Sequence, residues 1–291
     1  MSSLRPVSPE PVSGDEIPIG IPVTPSSNRL SLKVVRTLAV FQKYSTIPMG
    51  LFTVVHLSGV VLAPPIAGVD VAEQVISMGR ELYQTGYSEA ILLASACVHV
   101  LSGIALQFAK KWDNYVKYGR LRKKTSPTSL SAKEAEIDKS SGLGGITYLL
   151  GLGPRPSLSF RMLGLTPLRF SGYLLLPLMT LHVFHQRIGP LAVDGDSSMV
   201  DLSYIAWAVA QSPFIRATGL LTLVGVTSYH ILAGTLHYLR WFSRRARKNA
   251  YGIIFFNTTL AALSVLSISK IEPPSGSTAR KFAAYVSHFG I

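Results

Sequence analysis

Cysteine and acidic residues are scarce in this sequence. Cys97 is the one cysteine among 291 residues, which excludes an internal disulfide, a cysteine-rich metal site and covalent haem attachment through a Cys-x-x-Cys-His motif. Charged residues make up 15% of the chain, compared with about 25% in soluble domains. Together with a hydrophobic content of 48% and a mean hydropathy of +0.34, this composition predicts an integral membrane protein.

The few charges are mostly positive, and the formal net charge is +13. In a membrane chain, basic residues report first on topology, and no nucleic-acid-binding motif accompanies them. We therefore expect no nucleic-acid partner. The long basic stretch is expected to lie beside an anionic membrane leaflet.

Five apolar runs are each close to the roughly 20 residues that a helix needs to cross the hydrocarbon of a bilayer. They cover residues 45–67, 88–109, 171–193, 218–241 and 251–268. The predicted fold is an all-α integral membrane protein with five transmembrane helices. Two repeated two-helix hairpins, at 45–109 and 171–241, precede the fifth helix.

The remaining segments differ in charge and in proline content. A proline-rich tail at 1–28 is expected to be disordered, and a basic amphipathic lead-in follows at 29–44. A basic loop occupies 110–170, a second basic loop and the fifth span occupy 242–270, and 271–291 is a short C-terminal tail. Because basic residues favour the cytosolic side, this pattern places the N-terminus in the cytosol.

Histidines inside the predicted spans are the main functional signal, because an ionisable side chain in a membrane is costly. Each of the four helices in the two hairpins carries one at a corresponding place, which predicts a parallel repeat with all four near the same depth. They are His56, His99, His182 and His230. Gly103 and Gly234 each lie four residues after a histidine on the same helical face, where they permit close approach of a bulky group.

Two imidazoles from different helices, with apolar walls and small residues, are the ligand set of a six-coordinate b-type haem. Such a site requires His99 to face His230, or His56 to face His182. Zinc fits less well, because no cysteine accompanies the histidines and the carboxylates are assigned to loops. The alternative is that the histidines are hydrogen-bonding contacts between helices, without any cofactor.

The stretch His230-x-x-x-Gly234-x-x-His237 resembles the signature of the cytochrome b membrane subunit of succinate dehydrogenase. In that family the first histidine of the motif binds haem, so the resemblance implies this role for His230. Two features differ from that family: Leu236 stands where it has an arginine, and Arg240-Trp241 replace an expected acidic residue.

Taken as a whole, the chain is similar to the fungal Mdm-complementing proteins of the mitochondrial outer membrane. The resemblance rests on five spans, the histidine repeat, the basic central loop and the Pro-x-Pro tail. It implies a non-enzymatic adaptor that recruits the bridge-like lipid-transfer protein of the vacuolar-protein-sorting family (number thirteen). The docking residues it implies are Leu4, Val7, Pro9 and Pro11.

This resemblance also implies that the membrane domain scrambles phospholipids between leaflets and so supports lipid homeostasis at contact sites. Hydroxyl side chains on the fifth span, among them Thr258 and Ser264, are one candidate path for headgroups, or else ordinary packing residues. The competing function is that of a haem b electron-transfer protein. Since the chain shows no flavin or nicotinamide motif, a partner would have to supply the electrons.

Overall fold

The computed structural model describes residues 29–118, 143 and 157–288, and the regular structure within these ranges is entirely helical. The first half contains α1 (Arg29–Tyr44), α2 (Thr46–Leu57), a π-helical turn (Ser58–Leu62), α3 (Ala63–Ala67), α4 (Val69–Tyr83) and α5 (Gly86–Tyr118). The second half contains α6 (Leu158–Leu163), α7 (Pro167–Val183), a second π-helical turn (Phe184–Ile188), α8 (Gly189–Asp194), α9 (Leu202–Gln211), α10 (Pro213–Leu239), α11 (Arg244–Ile268) and α12 (Gly276–Ser287).

Among the described residues, four helices are long and apolar enough to cross a membrane. They are Leu32–Ala67, Gly86–Trp112, Pro213–Leu239 and Arg244–Ile268. The all-helical membrane architecture is therefore confirmed. The third predicted span is helical from Pro167 to Asp194 but is not among these four, so the number of five spans stays a prediction.

The helices pack in two groups, which meet where α11 packs against α3 and the first π turn. In the first, α5 lies along α1 and α2, while α4 packs against the first π turn. In the second, α10 packs between α7 and α11. Small residues permit this close packing in a membrane. A Cβ atom added at Gly59 would lie 2.7 Å from Cγ1 of Ile76, so only glycine lets α4 approach the turn this closely.

Both π turns begin two residues after a histidine, at Ser58 after His56 and at Phe184 after His182. A proline follows each turn at the equivalent place, and both Pro64 and Pro190 are buried. The two predicted hairpins therefore share an unusual local backbone feature at one position. The hairpin repeat itself stays a prediction.

An aromatic cluster connects α9 to α12 at the end of the second group of helices. Its members are buried and in mutual contact: Tyr204, Trp207, Phe282 and Tyr285. Asp201 begins α9 as its N-cap, and its side chain accepts a hydrogen bond from the Tyr204 amide. The residues at 271–291, which the sequence indicates only as a short tail, thus include a helix that packs into the protein.

Candidate functional site

His99 of α5 faces His230 of α10 between the two hairpins. Their ring centres are 6.1 Å apart and their ring planes are nearly perpendicular, at 89°. Helices α5 and α10 pack mainly against other helices, so the two imidazoles reach across from one group to the other. The structure therefore brings together one of the two histidine pairs that the haem hypothesis requires.

Hydrogen bonds fix the proton position on both rings of this pair. Nδ1 of His99 lies 3.1 Å from the carbonyl oxygen of Gln42, and since a carbonyl only accepts, this nitrogen carries the proton. Nδ1 of His230 lies 3.1 Å from Oγ of Ser171, whose own proton is donated to the carbonyl of Leu168. Nδ1 of His230 is therefore also the donor. In a neutral imidazole whose Nδ1 carries the proton, Nε2 is the acceptor.

His56 of α2 faces His182 of α7 in the same way. Their ring centres are 6.0 Å apart and the planes are inclined at 71°. Phe52 stacks on the His56 ring at 5.2 Å, and Tyr83 of α4 meets that phenyl ring edge-on at 4.9 Å. The second required pair is thus also formed, and aromatic side chains surround its His56 ring.

The two pairs lie at different depths. His230 contacts Ser171, which precedes His182 by eleven residues on the helix that continues through α7. At 1.5 Å per residue the pairs are about 16 Å apart along α7. The prediction of one common depth is therefore wrong, because α10 is shifted along α7 relative to the position that the repeat alone suggests.

Two further polar contacts join the hairpins. The hydroxyl of Tyr173 on α7 donates to Oε1 of Gln107 on α5 at 2.9 Å. Arg187, in the second π turn, donates from Nε and Nη2 to the two carboxylate oxygens of Glu89 at 2.7 and 2.6 Å. Glu89 thus lies in the first turn of α5 and not in a loop, which corrects the assignment of every carboxylate to loops.

These four contacts follow one another along the seam between the hairpins, and we call them the polar ladder. They are Gln107–Tyr173, His99–His230, His56–His182 and Glu89–Arg187. None of the eight residues is fully buried: Tyr173 is 42% exposed, and the Glu89 and Arg187 side chains are 39% and 23% exposed. Tyr173 and Glu89 are therefore exposed in part, whereas the four histidines are largely covered by neighbouring side chains.

The glycines singled out by the sequence occupy different surroundings. A Cβ at Gly103 would lie 2.8 Å from Nε2 of Gln42, so this glycine makes room for a protein side chain. Gly234 has no such neighbour within 4 Å. The glycine that meets an imidazole is Gly172, where an added Cβ would lie 3.1 Å from Cε1 of His230.

The other histidines of the predicted spans lie outside the ladder. His185 has its Nδ1 3.4 Å from an Nη atom of Arg216, while His237 is exposed on α10. The predicted docking residues of the tail, Leu4, Val7, Pro9 and Pro11, lie outside the described residues.

The donor set fits a cofactor that needs two protein ligands better than a bare metal ion. Among the described residues, no group of three or more histidine, cysteine, aspartate or glutamate side chains could hold a metal. A metal–imidazole bond is about 2 Å long, so two imidazoles on opposite sides of one ion have ring centres about 6 Å apart. Both histidine pairs match this separation. For His99 and His230, the Gln42 carbonyl and the Ser171 hydroxyl are the outer hydrogen-bond partners that ligating imidazoles usually have.

The hydroxyl groups of α11 are used in protein contacts. Thr258 donates back to the carbonyl of Ile254 on its own helix, and Ser267 does the same to Leu263. Ser264 is buried and donates to the carbonyl of Val60 in the first π turn at 2.6 Å. Of the two interpretations of this span, the contacts favour packing and intrahelical bonding over a headgroup path.

Charged residues outside the spans organise the connectors. Asp194 accepts from the hydroxyl of Tyr285 and forms an ion pair with Lys281 at 3.0 Å, and these partners hold the pKa of its carboxyl below the usual value. Burial raises the pKa of Tyr204 to about 12. Burial also raises the pKa of Glu73, although its Oε1 accepts from the Leu202 amide at the start of α9. These contacts attach the connectors firmly to the bundle.

Sequence reasoning missed Gln42, Gln107, Tyr173 and Glu89 as parts of the site. A signal existed for two of them, because Glu89 and Gln107 are polar residues close to the two ends of a predicted span. Gln42 contributes through its backbone carbonyl, and a backbone contact cannot be predicted from the residue type.

An all-helical bundle with apolar helices of membrane length, joined by polar contacts between two hairpins, defines a multi-span membrane protein. Residues 177–272 match the family model described as MDM10-complementing protein 1, transmembrane domain. The chain is also 25% identical over 236 residues to the mitochondrial adapter protein MCP1 of Saccharomyces cerevisiae, covering 79% of this chain and 73% of that protein. Both matches support an Mdm-complementing-family protein, which confirms the resemblance seen in the sequence.

No solved structure matches the chain. The likeness of the His230 motif to the cytochrome b subunit of succinate dehydrogenase therefore stays a resemblance of sequence. The family match begins in α7 and includes His182 and His230 but neither His56 nor His99.

Proposed function

We propose that this protein is an adaptor of the mitochondrial outer membrane that recruits the bridge-like lipid-transfer protein of the vacuolar-protein-sorting family (number thirteen) at membrane contact sites. The observation that carries the proposal is the match, over most of the chain, to a protein named a mitochondrial adapter. The basic segments on one side of the predicted spans support a cytosolic N-terminus, from which the tail can reach a cytosolic partner.

The proposed docking segment is the tail peptide from Leu4 to Pro11. Prolines hold a peptide extended before it binds, which lowers the entropy that docking costs, and the two aliphatic side chains supply apolar contacts. The membrane domain needs no part in this contact. Recruitment and membrane insertion are therefore expected to be separable.

Recruitment is tested by replacing Pro9 and Pro11 with alanine and measuring capture of the lipid-transfer protein on mitochondria. The matched control replaces Pro18 and Pro22, which lie in the same tail outside the docking segment. We expect the first variant to lose capture while its abundance in the membrane stays normal, and the control to bind as the unmodified chain does. Equal capture by both variants would exclude the docking segment.

The second part of the proposal is that the membrane domain supports lipid homeostasis by moving phospholipids between leaflets. A bridge protein delivers lipid to one leaflet, so phospholipid must then move to the other leaflet to keep the two leaflets equal in area. Headgroup passage needs polar groups across the hydrocarbon, and the described bundle has them at the seam between its hairpins. Purified protein in phosphatidylcholine vesicles with a fluorescent lipid is expected to expose the inner-leaflet probe to external dithionite.

A second candidate function, b-type haem binding and electron transfer, is favoured by the two facing imidazole pairs. His99 and His230 would hold the iron, with Gln42 and Ser171 orienting their rings; His56 and His182 form the other pair. Bound haem would supply one-electron chemistry. The visible absorption spectrum of protein from haem-replete cells, oxidised and then reduced, tests this function: a Soret band lost in His99→Ala supports it, and a colourless protein excludes it.

A further inference from the structure

The seam between the hairpins combines loose backbone packing with regularly placed polar side chains. Helices α5 and α10 each have close helical neighbours within their own group, and α5 reaches α7 and α10 through the side chains of the polar ladder, whereas α11 packs directly against α3 and the first π turn. Side-chain links of this kind can open without disrupting a packed helix interface. The seam between α5 and the pair α7 and α10 is thus the side on which the described bundle can open, while α11 holds the two groups together.

The length of the ladder matches the thickness of the membrane. Glu89 and Gln107 are the outermost ladder residues of α5, and they lie eighteen positions apart, which corresponds to about 27 Å of helix. The hydrocarbon of a bilayer is about 30 Å thick. On α5, His99 lies between these two residues, and His182 lies between Tyr173 and Arg187 on the facing helical segment, so polar groups are distributed along the seam.

The chemistry of the ladder suits a zwitterionic headgroup. At one end the guanidinium of Arg187 is a partner for a phosphate and the carboxylate of Glu89 is a partner for an ammonium. In the middle, Nε2 of both His99 and His230 is an acceptor, because Nδ1 is the donor in each ring. At the other end Tyr173 and Gln107 offer a hydroxyl and an amide.

From these observations we infer that the polar ladder is the route along which phospholipid headgroups cross the bilayer, with the acyl chains remaining in the surrounding lipid. The inference rests on the proposed lipid function and identifies the headgroup path. From the sequence alone, the hydroxyl side chains of the fifth span, which is α11, are one candidate for this path. The α11 hydroxyls make bonds within the protein, whereas none of the eight ladder residues is fully buried.

The first test links the hairpins covalently. With Cys97 replaced by serine, cysteines at Gln107 and Tyr173 are joined by a bismaleimide, which prevents the seam from opening. The matched control joins Ser228 to Asn257, which connect α10 to α11 through a 3.4 Å hydrogen bond. Each sample is compared with the same protein treated with a monofunctional maleimide, in phosphatidylcholine vesicles with a fluorescent phosphatidylcholine.

We expect the 107–173 link to stop lipid transfer and the 228–257 link to leave it unchanged. Transfer blocked only by the 228–257 link, or by neither link, would overturn the path while leaving the lipid function in place. Absence of transfer by the unlinked serine variant would overturn both.

A second test removes polarity without a link. His99→Leu combined with His230→Leu is expected to slow transfer about tenfold, the effect of losing one hydrogen bond at the rate-limiting position. His237→Leu, on the same helix but outside the ladder, is expected to transfer at the normal rate. Equal rates for the two variants would contradict the inference. Slower transfer by Gln107→Leu, which lies apart from both histidine pairs, would distinguish a headgroup path from a haem site.

Discussion

Arg187 and Glu89 form a two-point ion pair across 98 positions of sequence, with both donor–acceptor distances below 2.8 Å. Arg187 also donates to the hydroxyl of Ser197 at 2.7 Å. The guanidinium therefore ties the first turn of α5 to the second π turn and to the connector that follows α8. This contact fixes one end of the polar ladder.

Replacing Arg187 alone is expected to destabilise the protein by about 1–3 kcal/mol, because it leaves the half-buried Glu89 carboxylate without its partner. The loss is smaller than for a fully buried ion pair because both side chains are partly exposed to solvent. Thermal unfolding of Arg187→Leu in detergent, followed by tryptophan fluorescence, measures this loss.

The double variant Arg187→Leu, Glu89→Leu is expected to recover part of that stability, since no uncompensated charge remains. Arg80→Leu is the matched control, because Arg80 makes one exposed hydrogen bond to the Ser198 carbonyl. If the double variant is less stable than Arg187→Leu, the Glu89 carboxylate must make a stabilising contact other than its ion pair with Arg187.

The membrane-spanning helices and the pairing of the histidines can be predicted from local sequence. The relative depth of the two histidine pairs cannot. An apolar run near 20 residues long predicts a spanning helix, and one histidine per helix suggests the pairs His99–His230 and His56–His182. How far α10 is shifted along α7 depends on side-chain contacts such as that between Ser171 and His230. Those contacts join residues distant in sequence, so the repeat predicted a common depth that the fold lacks.

The aromatic cluster shows the same limit. Phe282 and Tyr285 belong to a short helix whose apolar residues are few and separated by polar ones, which on sequence alone resembles a tail. The helix gains its place from packing on Tyr204 and Trp207, more than seventy residues earlier. The packing of this segment against the rest of the protein therefore determines that it is a docked helix, although its own hydrophobic pattern is weak.

Ser171→Ala tests the orientation of the His230 ring. It is expected to cost about 1–3 kcal/mol, because Nδ1–H of His230 would lose its acceptor inside the bundle. Ser267→Ala removes a serine that also donates to a carbonyl on its own helix but is exposed and has no imidazole partner, so it should change stability little. Equal unfolding temperatures for the two variants would contradict the role assigned to Ser171.

Phe282→Ala tests the aromatic cluster and is expected to cost about 3–5 kcal/mol, because it opens a cavity among Tyr204, Trp207 and Tyr285. Phe282 is 1% exposed, whereas Phe255 on α11 is 75% exposed. Phe255→Ala removes the same atoms from a surface position and should leave the unfolding temperature nearly unchanged in detergent. Similar losses in both variants would show that α12 contributes no buried core.

The Asp194–Tyr285 hydrogen bond predicts a specific pH dependence of stability. The Tyr285 hydroxyl, followed by Lys281, lowers the pKa of Asp194 in the folded protein, so the folded state favours the carboxylate. This contribution to stability is present above the unfolded pKa, about 3.9, and is lost as the pH falls through the lowered folded pKa. Tyr285→Phe should therefore be less stable than the unmodified protein at pH 7, and the difference should shrink towards pH 3.

Tyr204→Phe is the control for this prediction. The Tyr204 hydroxyl donates to the His185 carbonyl, which does not titrate, so the difference in stability between Tyr204→Phe and the unmodified protein should stay constant across the same pH range. Unfolding temperatures measured from pH 7 to pH 3 decide between these outcomes, and a difference for Tyr285→Phe that does not shrink on acidification would mean that the hydroxyl stabilises the fold independently of the Asp194 charge.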